Sequence, residues 1–252
     1  MVSPLKPLKW YKSLATRKGR LEAEAFAVEG NRAIRQILTT HPGNIVEILT
    51  TDTPPPVYRD YPVHSLTESQ FNSICQTKTP QGILAVVRLP VDIYKSSLPS
   101  NIGRKVLLME DVQDPGNAGT LIRTAAAFDF SGVIMTESCA DPFSPKCIQA
   151  TAGTILSLWL RRTADYLKLA RSLRDSGYTL IAAEVNAKDH PSVLSQHDKI
   201  LLALGNEAAG LSGALLEQAD YRVRVPTVRE KVESLNVAVC GAILMYLSLK
   251  KP

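Results

Sequence analysis

The sequence has no long apolar run and few residues of the types that build metal sites. No segment reaches the roughly 18 consecutive apolar residues that a helix needs to cross a bilayer, and no secretory apolar segment follows the first residue. The four cysteines form no CxxC pair and have no histidine at metal-ligand spacing. A GxGxxG motif is also missing, so a Rossmann-type cofactor site is not indicated. We therefore expect a cytoplasmic protein with reduced thiols, no membrane partner and no metal.

Positive charge is modest overall but is concentrated near the start of the chain. Of 252 residues, 45% are hydrophobic and 21% are charged, which is enough for a sizeable core in one or two domains, and the net charge of +5 permits an anionic partner without requiring one. Residues 1–20 hold six cations, no acid and the aromatic pair Trp10 and Tyr11. Such a segment is typical of a surface that binds RNA, but also of a solvated terminus or an organelle transit peptide.

A segment rich in proline and serine divides the chain. Residues 91–103 predict a linker between a first domain, residues 1–90, and a second domain, residues 104–252. In the first domain we expect a small mixed α/β fold, with a helix over residues 22–39 and strands over residues 45–50 and 82–88.

The second domain alternates short apolar runs with stretches of helical periodicity. This pattern predicts a parallel sheet covered by helices on both faces. Ligands usually bind where loops leave the carboxyl ends of such strands, so the loops that begin at Glu110, Gly205 and Pro226 are the candidate site. The predicted strands span residues 105–109, 132–135, 178–183, 199–204 and 221–225, and the predicted helices span residues 120–128, 167–176 and 235–249.

Each of the three loops carries a polar motif. Taken alone, each motif also describes an ordinary turn and helix cap, with Gly116 and Gly119 in a tight turn and with Ser212 and Ser234 capping the helices that follow. Together, in this order and near this spacing, the motifs are hard to obtain by chance. They are Asn117-x-Gly119-xxx-Arg123, then Leu204-Gly205-Asn206-Glu207-xx-Gly210, and finally Val225-Pro226 through Ser234-Leu235-Asn236.

These motifs resemble the three signature motifs of the SpoU (TrmH-type) branch of the SPOUT methyltransferases. Residues 13–30 are similar to the start of that family's RNA-binding domain, which itself resembles ribosomal protein L30e, and residues 79–85 are similar to its end. The resemblance spans nearly the whole chain. It places the basic segment inside a domain, which argues against a cleaved transit peptide.

The resemblance implies an RNA methyltransferase that uses S-adenosylmethionine to methylate a ribose 2′-hydroxyl. A separate RNA-binding domain favours ribosomal RNA over transfer RNA as the substrate. The implied fold is a parallel-sheet SPOUT domain with a C-terminal trefoil knot, an exception to the usual rule against knots, and the implied assembly is a homodimer. The implied catalytic residues are Arg123, Asn117, Glu207, Ser234 and Asn236; the cofactor-binding residues are Leu204, Gly205, Asn206, Gly210, Val225, Pro226 and Leu235; and the RNA-binding residues are Arg17, Lys18 and Arg20.

Two roles are open for Arg123. In the resembling family, the matching arginine is assigned to activating the 2′-hydroxyl, sometimes as its general base. Because arginine side chains normally keep their proton, we favour a cation that stabilises the developing alkoxide or holds the adjacent phosphate. The segment between Pro226 and Ser234 departs from the family pattern, since residues 227–233 are bulkier and more charged than the short, small-residue stretch of relatives.

Two other functions compete with the enzyme. A non-catalytic RNA-binding or ribosome-assembly factor could keep the same fold, but such a protein has no need of all five polar positions in the motifs. An enzyme acting on a small anionic substrate would leave the basic N-terminal domain without a purpose. The apolar C-terminal helix could form a subunit interface or be buried in its own domain.

Overall fold

The computed structural model describes residues 4–228, 230–232 and 234–249. The chain separates into two compact units. The first contains the described residues up to Val91 together with Asp141–Ser157, and the second contains Asp92–Ala140 and the described residues from Leu158 onward. The segment Asp141–Ser157 thus returns to the first unit from within the second, and the predicted limits 1–90, 91–103 and 104–252 stay a prediction.

The helices and strands follow one another with short connections. The helices are α1 (Leu8–Ser13), α2 (Arg17–Ala23), α3 (Asn31–Thr40), α4 (Glu68–Ile74), α5 (Pro115–Ala127), α6 (Pro145–Thr151), α7 (Tyr166–Asp175), α8 (Gly213–Gln218) and α9 (Val237–Leu247). The strands are β1 (Ala25–Glu29), β2 (Ile45–Thr50), β3 (Val63–Ser65), β4 (Ile83–Arg88), β5 (Lys105–Met109), β6 (Gly132–Met135), β7 (Trp159–Arg162), β8 (Thr179–Ala183), β9 (Ile200–Leu204) and β10 (Tyr221–Val223).

The first unit is built around a four-stranded mixed sheet. The strand order is β1-β4-β2-β3, in which β4 is antiparallel to both of its neighbours and β3 is parallel to β2. Buried side chains of α1 and α4, including Tyr11 and Phe71, form a core with Leu84 and Val86 of β4. Because β4 and β2 each pair on both sides, they are the two inner strands of the sheet, and both contribute side chains to this core.

The prediction of a single helix over residues 22–39 is wrong. Ala25–Glu29 forms β1, which pairs with β4, and helix α3 begins only at Asn31. Gly30 separates the two elements with a φ of 91°, a left-handed-region value that glycine adopts without strain. The pairing of β1 with β4, a strand distant in sequence, therefore prevails over the local helical spacing of apolar residues.

The second unit contains a six-stranded sheet in the order β10-β8-β9-β5-β6-β7. Every neighbouring pair is parallel, which confirms the predicted parallel sheet. The sequence analysis does not predict the edge strand β7, because it carries two arginines. One of them, Arg161, is buried and donates hydrogen bonds to the Ser97 carbonyl (2.7 Å) and to Asp92 Oδ2 (3.0 Å).

Helices cover both faces of the six-stranded sheet. Residues of α7 and α8 form one core with the strands, through side chains such as Leu173 and Leu215. On the other face α9 packs closely, since a β-carbon on Gly241 would lie 2.4 Å from Leu121 Cδ2 and 2.6 Å from Leu204 Cδ1. The loops between the strands and these helices are thereby placed at the carboxyl edge of the sheet. The trefoil knot stays a prediction.

No helix within residues 4–228, 230–232 and 234–249 is long and apolar enough to cross a membrane. The same residues hold no group of three or more histidine, cysteine, aspartate or glutamate side chains arranged to bind a metal ion.

Candidate functional site

The first loop leads directly into a capped helix. Asp114 is the N-cap of α5, because its carboxylate Oδ1 accepts a hydrogen bond from the backbone N–H of Asn117 at 2.9 Å. Pro115 occupies the first turn, where a missing backbone N–H costs nothing. The expectation of a tight turn at Gly116 and Gly119 is wrong, since both lie within the helix. Asn117 therefore projects from the first turn of a rigid element.

The second loop, residues 205–212, is a closed turn after β9. The backbone N–H and carbonyl of Asn206 pair with the carbonyl and N–H of Gly210, each at 3.0 Å. The Asn206 Oδ1 also accepts hydrogen bonds from the N–H groups of Ala208 (2.9 Å) and Ala209 (3.0 Å). The turn requires glycine at Gly205, where a β-carbon would lie 2.3 Å from the carbonyl of Gly210. The motif is thus a rigid turn whose tip is exposed.

The third loop ends at the N-terminus of α9. Asn236 is the N-cap, because its Oδ1 accepts hydrogen bonds from the N–H groups of Ala238 (2.9 Å) and Val239 (3.3 Å). The expectation that Ser234 caps this helix is wrong, since it lies two residues before the cap, in an exposed position. The cap leaves the Asn236 Nδ2 group pointing away from the helix backbone and able to donate elsewhere.

One chain of hydrogen bonds joins all three motifs. The Asn117 Nδ2 donates to Glu207 Oε1 at 2.9 Å, and the Asn236 Nδ2 donates to Asn117 Oδ1 at 3.1 Å. Asn117 is 90 residues from Glu207 and 119 residues from Asn236 in sequence. The fold therefore brings three of the predicted catalytic residues together, and we call this row Glu207–Asn117–Asn236 the polar chain.

Arg123 is placed differently from these three residues. It lies within α5 and is exposed, and the described part of the chain gives its side chain neither a hydrogen bond nor an ion pair. A guanidinium in this state is available to an anion from outside the protein. Ser234 is likewise exposed and lies outside the polar chain.

The three predicted RNA-binding residues of the first unit do not share one environment. Arg17 and Lys18 are exposed in the first turn of α2. Arg20 is only 3% exposed, and it forms an ion pair with Asp141 and donates hydrogen bonds to the carbonyl of Leu14 at 2.8 Å. The assignment of Arg20 to RNA binding is therefore not retained, because its guanidinium is buried and already paired.

Sequence reasoning assigned no role to two acidic residues that follow β5 directly. Glu110 is 5% exposed, and its carboxylate accepts hydrogen bonds from the Tyr166 hydroxyl and from the backbone N–H of Ser212 (2.7 Å). Asp111 has a φ of 56°, and its carbonyl accepts a hydrogen bond from the Asn206 Nδ2 at 2.9 Å. The signal that could have found them is a pair of carboxylates at the end of a buried strand.

Burial controls the protonation of the thiols and the phenol in this unit. It raises the pKa of the Cys240 thiol in α9 to about 11, and it also raises the pKa of the Cys139 thiol. Burial, followed by the hydrogen bond to Glu110, raises the pKa of the Tyr166 hydroxyl. These groups stay protonated near neutral pH, so a thiolate nucleophile at Cys139 or Cys240 is not indicated.

The loops also fit a flat, partly apolar ligand with polar ends. Apart from the chain neighbours of Gly210, no other described residue has a heavy atom within 4 Å of the position that a β-carbon on Gly210 would take, so a ligand can approach the backbone there. Val225 and Leu235 are half-buried apolar residues in the third loop, while Pro226 is exposed. Adenine rings bind to such combinations of apolar side chains and open backbone groups, as the predicted cofactor requires. Within the charged segment 227–233, Arg229 and Glu233 lie outside the described residues.

Comparison with protein families assigns both parts of the chain. Residues 104–246 match the SpoU rRNA Methylase family, and residues 6–85 match the MRM3-like substrate binding domain. The first match covers the six-stranded sheet and all three loops, and the second covers β1, β2, β3 and the first three residues of β4.

Individual relatives agree with this assignment. The chain is 33% identical over 95% of its length, and 94% of the relative's length, to the 23S rRNA (guanosine(2553)-2′-O)-methyltransferase RlmP of Bacillus subtilis (strain 168). A TrmH-family protein from Porphyromonas gingivalis has a TM-score of 0.81 and 30% identity, with 98% of each chain covered. An S-adenosylmethionine-bound rRNA methyltransferase from Sinorhizobium meliloti has a TM-score of 0.80 and 25% identity, with 98% of this chain and 96% of that chain covered.

These matches confirm the predicted SPOUT-type α/β fold. They also confirm the predicted activity of an RNA ribose 2′-O-methyltransferase and its cofactor S-adenosylmethionine. The chain belongs to the SpoU rRNA Methylase family.

Proposed function

We propose that the polar chain positions a ribose of ribosomal RNA for methylation of its 2′-hydroxyl. S-adenosylmethionine supplies the methyl group. The observation that carries this proposal is the hydrogen bonding of Glu207, Asn117 and Asn236 across three loops that are far apart in sequence. These hydrogen bonds lie at the protein surface, where they add little to stability, whereas a fixed row of amides and a carboxylate can orient a sugar hydroxyl.

Arg123 provides the positive charge that the reaction needs. A ribose hydroxyl is a weak nucleophile, and negative charge develops on its oxygen as the new bond forms. The guanidinium of Arg123 is exposed and carries a permanent charge, so we assign it to stabilising that oxygen or the neighbouring phosphate. If Arg123 acted instead as a general base, the rate would rise with pH as the guanidinium lost its proton.

The second and third loops hold the cofactor in this proposal. Gly210 leaves the backbone of the second loop open to a ligand, Gly205 allows the loop to close on itself, and Asn206 fixes the shape of that loop. The apolar residues assigned to the cofactor are the last residue of β9, two residues that lie beyond β10, and the residue before the α9 cap. These apolar residues are Leu204, Val225, Pro226 and Leu235.

The proposed substrate is 23S ribosomal RNA. The Bacillus subtilis relative, which matches nearly the whole chain, acts on guanosine 2553 of 23S rRNA. In the first unit, Arg17 and Lys18 are exposed at the N-terminus of α2, where they can contact phosphates. Ser234 is a candidate second contact to the ribose, since it is exposed close to Asn236. The expected place of action is the cytoplasm, where ribosomal RNA is available.

We also propose a homodimer and a knotted C-terminal segment. Helix α9 exposes apolar side chains, with Val239 at 49% and Tyr246 at 62%, and Leu249 just beyond the helix is 38% exposed. A second copy of the chain that covers this surface would remove these side chains from water. The trefoil knot is consistent with α9 lying against α5 and the end of β9, which Gly241 permits.

Methyl transfer from labelled S-adenosylmethionine to 23S rRNA that lacks the modification tests the proposed function. The wild-type chain is expected to label ribose 2′-oxygens, and Arg123→Ala is expected to lose the labelling while still binding cofactor. Arg171→Ala is the matched control, because Arg171 is an exposed arginine on α7 and belongs to none of the three loops. Wild-type protein that binds RNA and cofactor but labels neither ribosomal nor transfer RNA would instead indicate a non-catalytic RNA-binding factor.

A pH series on the same reaction separates the two roles of Arg123. A fixed cation predicts that single-turnover rates do not follow an arginine titration between neutral and high pH. A rate that rises tenfold for each pH unit, in the wild type but not in Arg123→Lys, would support the general base.

A further inference from the structure

The second loop is held at both ends by residues that the proposed chemistry does not use. At its C-terminal end, the backbone N–H of Ser212 donates to Glu110 Oε2 at 2.7 Å, while Glu110 Oε1 accepts from the Tyr166 hydroxyl. Glu110 is 5% exposed, and its own N–H donates to the Leu204 carbonyl at 2.9 Å, directly before the loop. One carboxylate oxygen of Glu110 therefore holds the C-terminal end of the loop, and the other is bound by Tyr166 of α7.

At the N-terminal end of the loop, the contact runs through Asp111. The Asn206 Nδ2 donates to the Asp111 carbonyl at 2.9 Å. This carbonyl is aimed by an unusual backbone, because Asp111 has a φ of 56°, which is rare for a residue with a side chain. Thr136 holds that conformation, since its Oγ1 accepts from the Asp111 N–H at 2.9 Å and donates to Asp111 Oδ1.

We infer that Glu110 and Asp111 are positioning residues that hold the two ends of the second loop in the shape that binds S-adenosylmethionine. This inference rests on the proposed function of the loop. Two consecutive residues that follow β5 bind opposite ends of one turn. Asp111 binds residue 206, and Glu110 binds residue 212. A loop that only had to connect β9 to α8 needs neither a buried carboxylate nor a left-handed aspartate.

The two contacts differ in kind, which allows separate tests. Glu110 acts through its side chain, so Glu110→Gln can keep both contacts, with its oxygen accepting from Ser212 and its amide donating to the Tyr166 hydroxyl oxygen. Glu110→Ala removes both contacts. Asp111 acts through its backbone, which the Thr136 hydroxyl holds in place. Thr136→Val removes that hydroxyl with almost no change in side-chain volume, whereas Thr136→Ser keeps it.

The experiment measures the Kd for S-adenosylmethionine by titration calorimetry on the full chain, together with the Kd for RNA and the thermal midpoint. Glu110→Ala and Thr136→Val are each expected to weaken cofactor binding about tenfold or more, the effect of losing a buried hydrogen-bonded contact. Glu110→Gln and Thr136→Ser are expected to stay within about threefold of wild type. RNA affinity is expected to be unchanged in all four. Glu217→Ala, which removes an exposed carboxylate on α8, is the control.

The outcomes separate a positioning role from a structural one. The inference is overturned if Glu110→Ala and Thr136→Val lower the thermal midpoint but leave the cofactor Kd unchanged, or if cofactor and RNA affinity fall in parallel. If Glu110→Ala does not fold, Tyr166→Phe removes one donor without changing charge, and it is expected to weaken cofactor binding about threefold. Wild-type protein that binds no S-adenosylmethionine would refute the proposed function itself. The titration of the wild type therefore distinguishes failure of the proposed function from failure of this inference.

Discussion

The ion pairs of Arg20 and Glu47 in the first unit and the polar chain of the second unit use charged and polar side chains in opposite ways. In the first unit these two residues are buried. Arg20, 3% exposed, is paired with Asp141, and Glu47, 1% exposed, lies 3.0 Å from the Lys6 ammonium and 3.2 Å from His64 Nε2. Removing one partner of such a buried ion pair leaves the other charge unpaired and destabilises the fold, and RNA has no access to the buried Arg20 and Glu47.

In the second unit, the three residues of the polar chain lie together at the exposed edge of the sheet. Glu207, Asn117 and Asn236 are hydrogen-bonded to one another where solvent reaches them, and Arg123 is exposed on α5. The comparison teaches that the position of a polar residue, more than its type, determines whether it contributes to the stability of the fold or to the reaction. Substitutions of the buried pairs in the first unit should change the free energy of unfolding, and those at the loops should change the reaction rate.

Arg20→Ala should give the largest change, and it should be in stability. Removing one partner of a buried ion pair costs about 3–5 kcal/mol, because Asp141 and the carbonyls of Leu14 and Ala15 lose their donor. Urea denaturation of the full chain measures this loss. Lys18→Ala, whose ion pair with Glu22 at 3.7 Å is exposed, should change stability by less than about 0.5 kcal/mol. An Arg20→Ala protein of wild-type stability but with reduced RNA affinity would reverse the comparison.

Asn117→Asp should give the next largest effect, and it should be in the rate. The new carboxylate would replace the Nδ2 group that lies 2.9 Å from Glu207 Oε1, so two negative charges would face each other and the polar chain would break. We expect kcat/KM for methyl transfer to fall about 100-fold, equivalent to roughly 2.7 kcal/mol of transition-state stabilisation. Gln113→Glu, which adds a negative charge at an exposed position in the same loop, is the control. Equal losses of rate in both variants would mean that overall charge, not the polar chain, matters.

Tyr11→Phe should change how stability depends on pH. Burial, together with the charge of Glu47, raises the pKa of the Tyr11 hydroxyl to about 12 from 10.0, although a hydrogen bond from the Lys6 N–H opposes the shift. A raised folded-state pKa means that its contribution is complete below the unfolded value and is lost as pH rises through the folded value. The wild type should therefore lose stability between about pH 10 and pH 12 more steeply than Tyr11→Phe.

Denaturation at a series of alkaline pH values measures this difference. Parallel curves for the wild type and Tyr11→Phe would show that the hydroxyl ionises as it does in the unfolded chain.

The sequence predicted the second unit better than the first for a physical reason. Parallel strands buried on both faces are continuous apolar runs, so Lys105–Met109 and Gly132–Met135 are visible without knowledge of their neighbours. Strand β1 could not be predicted from the sequence, because its apolar residues continue into α3 with helical spacing and its pairing with β4 is long-range. The buried state of Arg20 was equally hidden, since its partner lies 121 residues away.

The candidate site shows the same limit. The three motifs were found from residue types and spacing, which local sequence contains. Their hydrogen bonding depends on β9 lying next to β5, and the roles of Glu110 and Asp111 depend on contacts with residues about 100 positions away along the chain, such as Ser212. Such contacts follow from strand order, which periodicity does not specify.

The double variant Arg17→Ala with Lys18→Ala should give the smallest effect, confined to RNA binding. Both residues lie in the first turn of α2, where the helix dipole disfavours positive charge, so their removal should not destabilise the fold. We expect RNA affinity to fall about tenfold. The slope of log affinity against log salt concentration should decrease by the amount that about two phosphate contacts contribute. Filter binding across a salt series measures both quantities, and the exchange variant Arg17→Lys with Lys18→Arg keeps the charges as a control. An unchanged salt slope in the alanine variant would place the RNA contacts of the first unit elsewhere, whereas a loss of stability would make these two cations structural, like Arg20.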